Sequence, residues 1–340
     1  MGDLSEFELI ARLTDTVEKA RGGRSASWGP RVLIGSGDDA AVTVPRGATA
    51  TSVDALVESV HFSRETAPLR LIGRKAISAA LSDLAAMGAE PGEAYVQLGV
   101  PEDLDDAGCV EVGAGLAAAA AELGVAIVGG DVTRAPALIL AITVVGHARS
   151  ADDLVPRSGA RAGDVLAVTG ELGGAAAGLL LLDRPELAEG LAEGASEALR
   201  NRLLDPTPRI AAGLALAVGG ATAMIDVSDG LGADAAHIAK ASGVGLVIDL
   251  DLLPVQKGVA EIASVAGASV EELATARGED YELLATMPAE RFERALDAVK
   301  ATGVSLTLIG SARDGVGAIL RAPDGTEHEA RGFDQLRSSN

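Results

Sequence analysis

The chain has 340 residues, with 49 acidic side chains against 28 lysines and arginines and a formal net charge of −21. This balance argues against sequence-independent binding to nucleic acid, which requires a basic surface, and the single Cys109 excludes an intrachain disulfide or a cysteine-rich zinc site. The acidic N-terminal residues form no signal-peptide apolar segment, and no apolar run reaches the roughly 18 residues of a membrane span. We therefore expect a cytoplasmic protein of about two domains, with no nucleic-acid or membrane partner.

Alternating helices and strands are predicted for the first half of the chain. Ser5 and Glu8 form a capping box that predicts a helix ending near Arg21. The pattern then predicts, in chain order, strand 32–34, strand 48–53 closed by Asp54, helix 68–88, strand 95–100, helix 103–123, strand 126–128 and strand 137–145. This alternation is typical of an α/β or α+β domain.

A polar connector rich in glycine, arginine and aspartate follows over residues 146–164. We place a domain boundary near residue 148 and expect domains at 1–147 and 148–340. The second half repeats the alternation, with strand 165–169, helices 174–183 and 208–218, strand 222–226, helix 231–241, strand 245–250 and helix 290–301. The order of the strands within a sheet cannot be read from this pattern.

Seven aspartates are predicted to lie at strand ends, just past them or in glycine turns. They are Asp38, Asp39, Asp54, Asp83, Asp131, Asp226 and Asp229. Loops that follow strands commonly carry the ligand sites of α/β proteins, and carboxylate oxygens without Cys or His partners favour Mg²⁺ bridging to phosphate. Each aspartate alone is more often a simple turn former, so the metal interpretation depends on their shared placement.

Neither a Walker-type nor a Rossmann-type glycine motif occurs, so a nucleotide would be held in another way. Gly129 and Gly130 would let a phosphate or an adenosine approach the backbone closely before Asp131. The glycine turn at 170–174 would offer a helix N-terminus to an anion, although a tight strand–helix turn is the commoner explanation.

Two further segments are candidates for substrate contacts. His61 follows Asp54 by seven residues in a polar connection, although a lone loop histidine is more often a surface residue. The segment Gly278-Glu279-Asp280-Tyr281-Glu282 is a compact acidic turn, either functional or simply solvated. Nucleophilic catalysis is disfavoured, because Cys109 lies in an alanine-rich helical segment and no G-x-S-x-G motif occurs.

A series of short motifs runs almost from end to end of the chain. They are Glu6-Phe7-x-Leu9-Ile10, Gly37-Asp38-Asp39-Ala40-Ala41, Ser52-Val53-Asp54, Val60-His61-Phe62, Leu81-Ser82-Asp83-Leu84-Ala85-Ala86-Met87-Gly88-Ala89, Gly129-Gly130-Asp131-x-Thr133-Arg134, Arg157-Ser158-Gly159-Ala160, Asp226-Val227-Ser228-Asp229-Gly230-Leu231, Gly278-Glu279-Asp280-Tyr281-Glu282-Leu283 and Gly332-Phe333-Asp334. In order and spacing they resemble the thiamine-monophosphate kinase family, within the superfamily of aminoimidazole-ribonucleotide-synthetase-like ATP enzymes. Val53 and Val132 stand where that family usually has threonine.

The resemblance implies a two-domain α/β (α+β) architecture with mixed sheets flanked by helices. Residues 1–147 would carry metal-binding and ATP-binding aspartates and a dimer sheet, and residues 148–340 would complete the substrate site. The implied reaction is Mg²⁺-dependent, direct in-line transfer of the γ-phosphoryl group of ATP to thiamine monophosphate, giving thiamine diphosphate and ADP. The sites would lie between the subunits of a homodimer.

Residue roles also follow from the resemblance. Several Mg²⁺ ions would be held by Asp39, Ser52, Asp54, Asp83, Asp131, Asp226 and Asp229. ATP would contact Gly129, Gly130, Arg157 and Ser228. Thiamine monophosphate would contact His61, Glu279 and Phe333, the last by packing on an aromatic ring.

The chemistry fits this set of residues. An acceptor phosphate is already ionised near neutral pH, so the transfer requires charge neutralisation and positioning rather than a strong general base. The alternatives are another ATP-dependent enzyme of the superfamily and a non-catalytic relative that binds a nucleotide or a metal. The presence of all the aspartates argues against the latter, because clustered carboxylates repel one another.

Overall fold

The structure is a computed structural model that describes residues 6–21, 31–36, 38–45 and 47–332. It divides into two units. The first unit comprises Met1–Leu84 and Ala89–Asp152, and the second comprises Ala85–Gly88 and Asp153–Asn340. The roles expected for residues 1–147 and 148–340 stay predictions.

The first unit combines helices with a two-stranded and a four-stranded sheet. Its elements are α1 (Glu6–Arg21), β1 (Arg31–Ile34), β2 (Val42–Val44), β3 (Ala48–Val57), α2 (Leu69–Ala86, whose last two residues belong to the second unit), β4 (Glu90–Val100), α3 (Asp106–Leu123), β5 (Ala126–Arg134) and β6 (Ile139–Ala148). Strands β1 and β2 pair with each other, and the larger sheet has the order β3-β6-β4-β5. Only β4 and β5 run parallel; the other pairs are antiparallel.

The two faces of the four-stranded sheet differ in burial. Leu140, Ile142 and Val144 are fully buried on one face, where α2 lies. Helices α2 and α3 meet backbone to backbone, because a Cβ at Gly73 would overlap the Val112 carbonyl oxygen and no larger residue fits. The opposite face carries alternate residues of each strand, and along β3 three of these, Thr49, Thr51 and Val53, are exposed.

The second unit is built around one mixed sheet. Its strands are β7 (Asp164–Thr169), β8 (Ala223–Asp226), β9 (Gly245–Asp249), β10 (Leu283–Pro288), β11 (Leu306–Arg313), β12 (Gly317–Arg321) and β13 (Glu327–Glu329), in the order β13-β12-β9-β11-β7-β10-β8. Its helices are α4 (Gly174–Asp183), α5 (Ala195–Leu204), α6 (Ile210–Gly219), α7 (Leu231–Ser242), α8 (Val259–Ala266) and α9 (Phe292–Lys300). Strands β9 and β12 are parallel, and the remaining pairs are antiparallel.

Helices cover both faces of this sheet. Leu166 and Val168 of β7 belong to a core cluster that includes residues of α7, whereas Ala167 packs into a second cluster with residues of α6 and α9. Strands buried on both faces consist of nearly continuous apolar residues, as β7 and β10 do. The predicted architecture of mixed sheets flanked by helices is confirmed.

Several elements were not predicted. The sequence pattern did not indicate α5, α8 or the strands β10 to β13. Among the helices in the described parts of the chain, none combines the length and apolar character that crossing a bilayer requires.

Candidate active site

Two carboxylates and a hydroxyl of the first unit lie on the helix-covered face of the four-stranded sheet. Ser52 and Asp54 are two residues apart on β3, so their side chains leave the same face. The Ser52 hydroxyl donates a hydrogen bond to the carboxylate of Asp83, near the end of α2. This contact joins two of the predicted metal ligands. Because Ser52 and Asp83 are 31 residues apart in sequence, it also holds α2 against β3.

Asp131 leaves the other face of the same sheet. Its carboxylate accepts a hydrogen bond from the Gln97 side chain at 2.9 Å, and the two residues are register partners on β5 and β4. Gln97 is also paired with Ala141 of β6, and Ala141 is paired with Ala55 of β3, so their side chains leave the same face of the sheet as Asp131. Ala55 is the neighbour of Asp54 on β3. Because neighbouring residues of a strand alternate in direction, Asp131 and Asp54 project from opposite faces and at opposite edges of the sheet.

The predicted placement of these aspartates at strand ends needs correction. Strand β3 continues past Asp54 to Val57, and β5 continues past Val128 through Asp131 to Arg134. Both aspartates therefore lie inside edge strands, where pairing with β6 or β4 extends the ladder. Asp83 lies on a helix, whereas Asp226 is the last residue of its strand.

The glycine pair before Asp131 has a structural reason of its own. A Cβ at Gly130 would overlap the carbonyl oxygen of Val96, and one at Gly129 would lie 3.2 Å from the Tyr95 ring. The sheet therefore requires Gly130 whether or not a nucleotide binds there. The ATP contacts of both glycines stay predictions.

His61 and Asp39 lie in connections of the first unit. The Nδ1 atom of His61 accepts a hydrogen bond from the Val57 backbone at 3.0 Å, so a neutral His61 carries its proton on Nε2. Ser59, in the turn between Val57 and His61, has a φ of 66°. Asp39 is exposed, and its backbone N–H donates to the Asp38 carboxylate at 2.8 Å.

Within the described residues, the predicted metal ligands do not surround a common position. Across the described ranges, no three His, Cys, Asp or Glu side chains converge on a common position for a metal ion. The donors on the predicted metal-binding residues are nevertheless all carboxylate and hydroxyl oxygens, which fit a hard cation such as Mg²⁺.

In the second unit, the segment from Asp226 to Asp229 follows β8. Asp226 is buried, and Ser228 and Asp229 are half-buried. The buried Asp234 of α7 accepts hydrogen bonds from the backbone N–H groups of Ser228 at 3.1 Å and Asp229 at 3.2 Å. Asp234 was missed from the sequence, where an acidic residue in a first helical turn is ordinary.

The same three aspartates influence one another electrostatically. Burial, followed by the negative charges of Asp226 and Asp229, raises the pKa of Asp234 well above its ordinary range. A bound cation would relieve this repulsion, so the electrostatics of the segment also fit a hard metal ion.

The acidic turn over residues 278–282 lies directly against this segment. The backbone N–H of Glu279 donates to the Ser228 carbonyl at 2.9 Å, and that of Tyr281 donates to the Val227 carbonyl at 2.9 Å. Glu279 and Tyr281 have φ angles of 70° and 49°, in the left-handed region that few residues other than glycine adopt. The fold thus brings a predicted substrate residue, Glu279, next to a predicted ATP residue, Ser228.

Asp280 accounts for the start of α4, where the sequence favoured a tight strand–helix turn over an anion site. Its carboxylate accepts hydrogen bonds from the backbone N–H groups of Gly173 at 2.7 Å and Ala175 at 3.1 Å. This side chain therefore occupies the helix N-terminus itself, in agreement with the favoured strand–helix turn. Burial raises the pKa of Asp280 to about 6, against the opposing effects of the Arg202 charge and the two backbone donors.

Glu282 is fully buried and holds two arginines that the sequence did not indicate. Arg209 donates to both of its oxygens, at 2.7 and 2.6 Å, and Arg202 donates to one of them. The Thr169 hydroxyl donates to the second oxygen at 2.7 Å. The last three residues of the acidic turn are therefore buried, and the Asp280 and Glu282 carboxylates are hydrogen-bonded within the protein, so the turn is not a solvated loop.

Two further residues, Arg157 and Phe333, were predicted to contact ligands. The Arg157 side chain is exposed, and the preceding Pro156 carbonyl accepts a hydrogen bond from Met224 of β8. Phe333 lies outside the described residues. The preceding Gly332 is packed so closely that a Cβ there would lie 3.0 Å from the Asp229 carbonyl oxygen.

Two family models match most of the chain. The model described as AIR synthase related protein, N-terminal domain, matches residues 37–148, and its C-terminal counterpart matches residues 161–322.

Individual relatives give a narrower likeness. The chain is 39% identical over 264 residues to the thiamine-monophosphate kinase of Mycobacterium tuberculosis strain H37Rv, covering 77% of this chain and 74% of that protein. The crystal structure of the thiamine-monophosphate kinase from Stenotrophomonas maltophilia K279a matches with a TM-score of 0.79 at 35% identity, over 92% of this chain and 96% of that one. A structure named AaThiL complexed with AMPPCP and TMP matches with a TM-score of 0.74 at 30% identity, over 97% and 98% of the two chains.

Proposed function

The chain belongs to the thiamine-monophosphate kinase family, and we propose that it transfers the γ-phosphoryl group of ATP to thiamine monophosphate in an Mg²⁺-dependent reaction that yields thiamine diphosphate and ADP. One observation carries the proposal: the chain matches, over nearly its whole length, a structure that holds AMPPCP together with TMP. AMPPCP is an analogue of ATP, so that relative binds a nucleotide and a second ligand simultaneously.

The metal ligands in this proposal are all side-chain oxygen donors. They are Asp39, Ser52, Asp54, Asp83, Asp131, Asp226 and Asp229. Bound Mg²⁺ would neutralise phosphate oxygens and so supply most of the electrostatic stabilisation of the transfer. The hydrogen bond from Ser52 fixes the orientation of the Asp83 carboxylate, and Asp234 fixes the backbone of Ser228 and Asp229.

The remaining roles concern the two organic ligands. Gly129, Gly130, Arg157 and Ser228 would contact ATP, and His61, Glu279 and Phe333 would contact thiamine monophosphate. His61 is suited to donate a hydrogen bond from Nε2, because Nδ1 is engaged by the Val57 backbone. The acceptor phosphate is itself the nucleophile and is ionised near neutral pH, so in-line transfer requires no side chain as a general base.

We also propose that the active enzyme is a homodimer. The geometry that supports this is the opposite orientation of Asp54 and Asp131 on the four-stranded sheet. A second copy packed on the exposed face would bring its own residues beside Asp131, whereas Asp54 of either copy stays on the helix-covered face.

Product analysis tests the activity. Purified protein is mixed with ATP, Mg²⁺ and thiamine monophosphate, with free thiamine as a parallel acceptor, and the products are separated chromatographically. We expect thiamine diphosphate only from the monophosphate and only with Mg²⁺. An absence of product while ATP still binds would indicate another acceptor within the superfamily, and an absence of ATP binding would favour a non-catalytic relative.

An Asp83→Asn variant tests the metal assignment. The substitution removes one ligand charge but keeps the shape of the side chain, so we expect kcat at saturating Mg²⁺ to fall about 100-fold. Glu122→Gln is the control, because Glu122 is an exposed partner of Arg74 in the same unit. A wild-type rate in Asp83→Asn would contradict the role of Asp83.

A further inference from the structure

The acidic turn of the second unit is held from two sides. The backbone of Glu279 and Tyr281 bonds to Ser228 and Val227, while the side chains of Asp280 and Glu282 point away into α4 and toward two arginines. The residues thus alternate along the chain: two contact the segment after β8, and two anchor the turn in the interior of the unit.

Both parts of this arrangement are energetically expensive. Residues other than glycine in the left-handed region carry a conformational cost, and they persist only where the surroundings enforce them. Burying carboxylates and guanidinium groups carries a desolvation cost that only nearly complete hydrogen bonding offsets. Asp280 and Glu282 are each less than 2% exposed and have such partners.

Arg209 and Arg202 complete the anchor. Arg209 precedes α6 and donates two parallel hydrogen bonds to the Glu282 carboxylate. Arg202 of α5 contacts the same carboxylate, and its Nε lies 3.9 Å from Oδ1 of Asp280. The Thr169 hydroxyl links the anchor to β10 by accepting from the Leu283 backbone. Three helices and two strands therefore converge on a turn of five residues.

We infer that Asp280, Glu282, Arg202 and Arg209 are positioning residues that hold Glu279 in its left-handed conformation against Ser228 for the binding of thiamine monophosphate. This inference rests on the proposed function for the identity of the ligand. None of the four residues is assigned to touch a substrate. They act through the backbone of the turn.

The test replaces Arg209 with lysine, which keeps the charge but cannot form the two-pronged contact with Glu282. We expect the KM for thiamine monophosphate to rise about tenfold, since a displacement of about 1 Å of a positioning group is sufficient for large losses. The KM for ATP should change less than twofold. Arg202→Lys is the second variant, so that the test does not depend on one substitution folding well.

Amide hydrogen exchange provides a readout that does not require activity. In Arg209→Lys, the amides of Glu279 and Tyr281 should exchange about tenfold faster than in wild type, while amides of the strands β9 and β12 keep their rates. Arg321→Lys is the matched control, because Arg321 makes the same two-pronged contact with Asp249 at the other side of the sheet. That variant should change neither KM nor exchange in the turn.

The outcomes separate the two proposals. Unchanged KM values and unchanged exchange at Glu279 and Tyr281 would overturn the positioning role, as would an acceleration spread evenly over the whole unit. If the wild-type protein makes no thiamine diphosphate, the proposed function fails, and the exchange rates still decide whether these arginines hold the turn.

Discussion

The Asp280 carboxylate accepts hydrogen bonds that fix the start of α4, although burying its charge is itself unfavourable. The side chain replaces the external anion that the N-terminus of α4 would otherwise attract, and it accepts two backbone hydrogen bonds there. Even so, complete burial outweighs these donors and the nearby Arg202, and its pKa rises to about 6. The folded protein therefore binds a proton at Asp280 more readily than the unfolded chain does.

This shift predicts a pH dependence of stability. Between about pH 4 and pH 6 the folded state retains the Asp280 proton that the unfolded state has lost, so stability falls as the pH rises through this window. The slope amounts to at most about 1.4 kcal/mol per pH unit. We expect Asp280→Asn to lack this contribution when the free energy of unfolding is measured by urea titration at each pH.

A matched substitution shows whether the slope belongs to Asp280. Asp297→Asn alters an exposed carboxylate on α9 of the same unit and should leave the difference between pH 4 and pH 6 as in wild type. Identical slopes in wild type and Asp280→Asn would contradict the interpretation.

Individual residues were predictable only where their neighbours in sequence define them. The segments Asp226–Asp229 and 278–282 were recognised as candidates from their own residue types. Their supporting side chains were not, because Arg209 and Glu282 are 73 positions apart and Arg202 and Glu282 are 80 apart. Contacts over such separations are created by the tertiary fold and leave no local pattern.

At the level of elements, the predictions failed where pairing overrides local propensity. The sequence indicated that the strand before Asp54 ends there, because aspartate disfavours strands. Strand β3 continues instead, since β6 offers a partner for every residue to Val57. Likewise β10 was not recognised, because a strand enclosed by β7 and β8 and buried on both faces shows no alternation.

Strand β5 provides a test of this pairing argument. Gly130→Ala would drive a methyl group into the Val96 carbonyl of β4, and we expect the free energy of unfolding to fall by about 1 to 3 kcal/mol. Thermal unfolding without nucleotide measures this effect apart from any loss of ATP contacts.

The control substitution is Gly35→Ala in the same unit. A Cβ at Gly35 would lie 3.7 Å from the nearest atom, the Cγ1 of Val32, which is an ordinary van der Waals contact. Its melting temperature should remain within about a degree of wild type. An equally stable Gly130→Ala would show that the β4–β5 ladder does not require glycine there.

For the molecule as a whole, the uneven burial of the first unit's sheet is the feature with the widest consequence. Its helix-covered face is packed as a core, whereas Val53 on the other face is 66% exposed. Val53 pairs with Thr143 of β6, which in turn pairs with Tyr95 of β4, so the row continues from an exposed side chain through two half-buried ones across three strands. An uncovered sheet face of this kind is where the proposed second copy would pack.

Val53→Glu tests this assembly directly. In a two-fold dimer the substitution would bury two carboxylates in the interface, and an unpaired buried charge costs several kcal/mol. We therefore expect wild type to sediment near twice the 34.1 kDa chain mass and Val53→Glu to sediment as a monomer. Kinase activity should be lost with the dimer, because the second copy would no longer supply residues beside Asp131, which leaves this face of the sheet.

Two controls limit the interpretation of that result. Val316→Glu adds the same charge to the second unit, at a side chain that is 88% exposed, and should leave the dimer intact. Val53→Thr keeps the size of the side chain without a charge and should also remain dimeric. A dimeric, active Val53→Glu would place the subunit contact elsewhere than on this face of the sheet, and a monomeric wild type that is fully active would remove the need for a second copy.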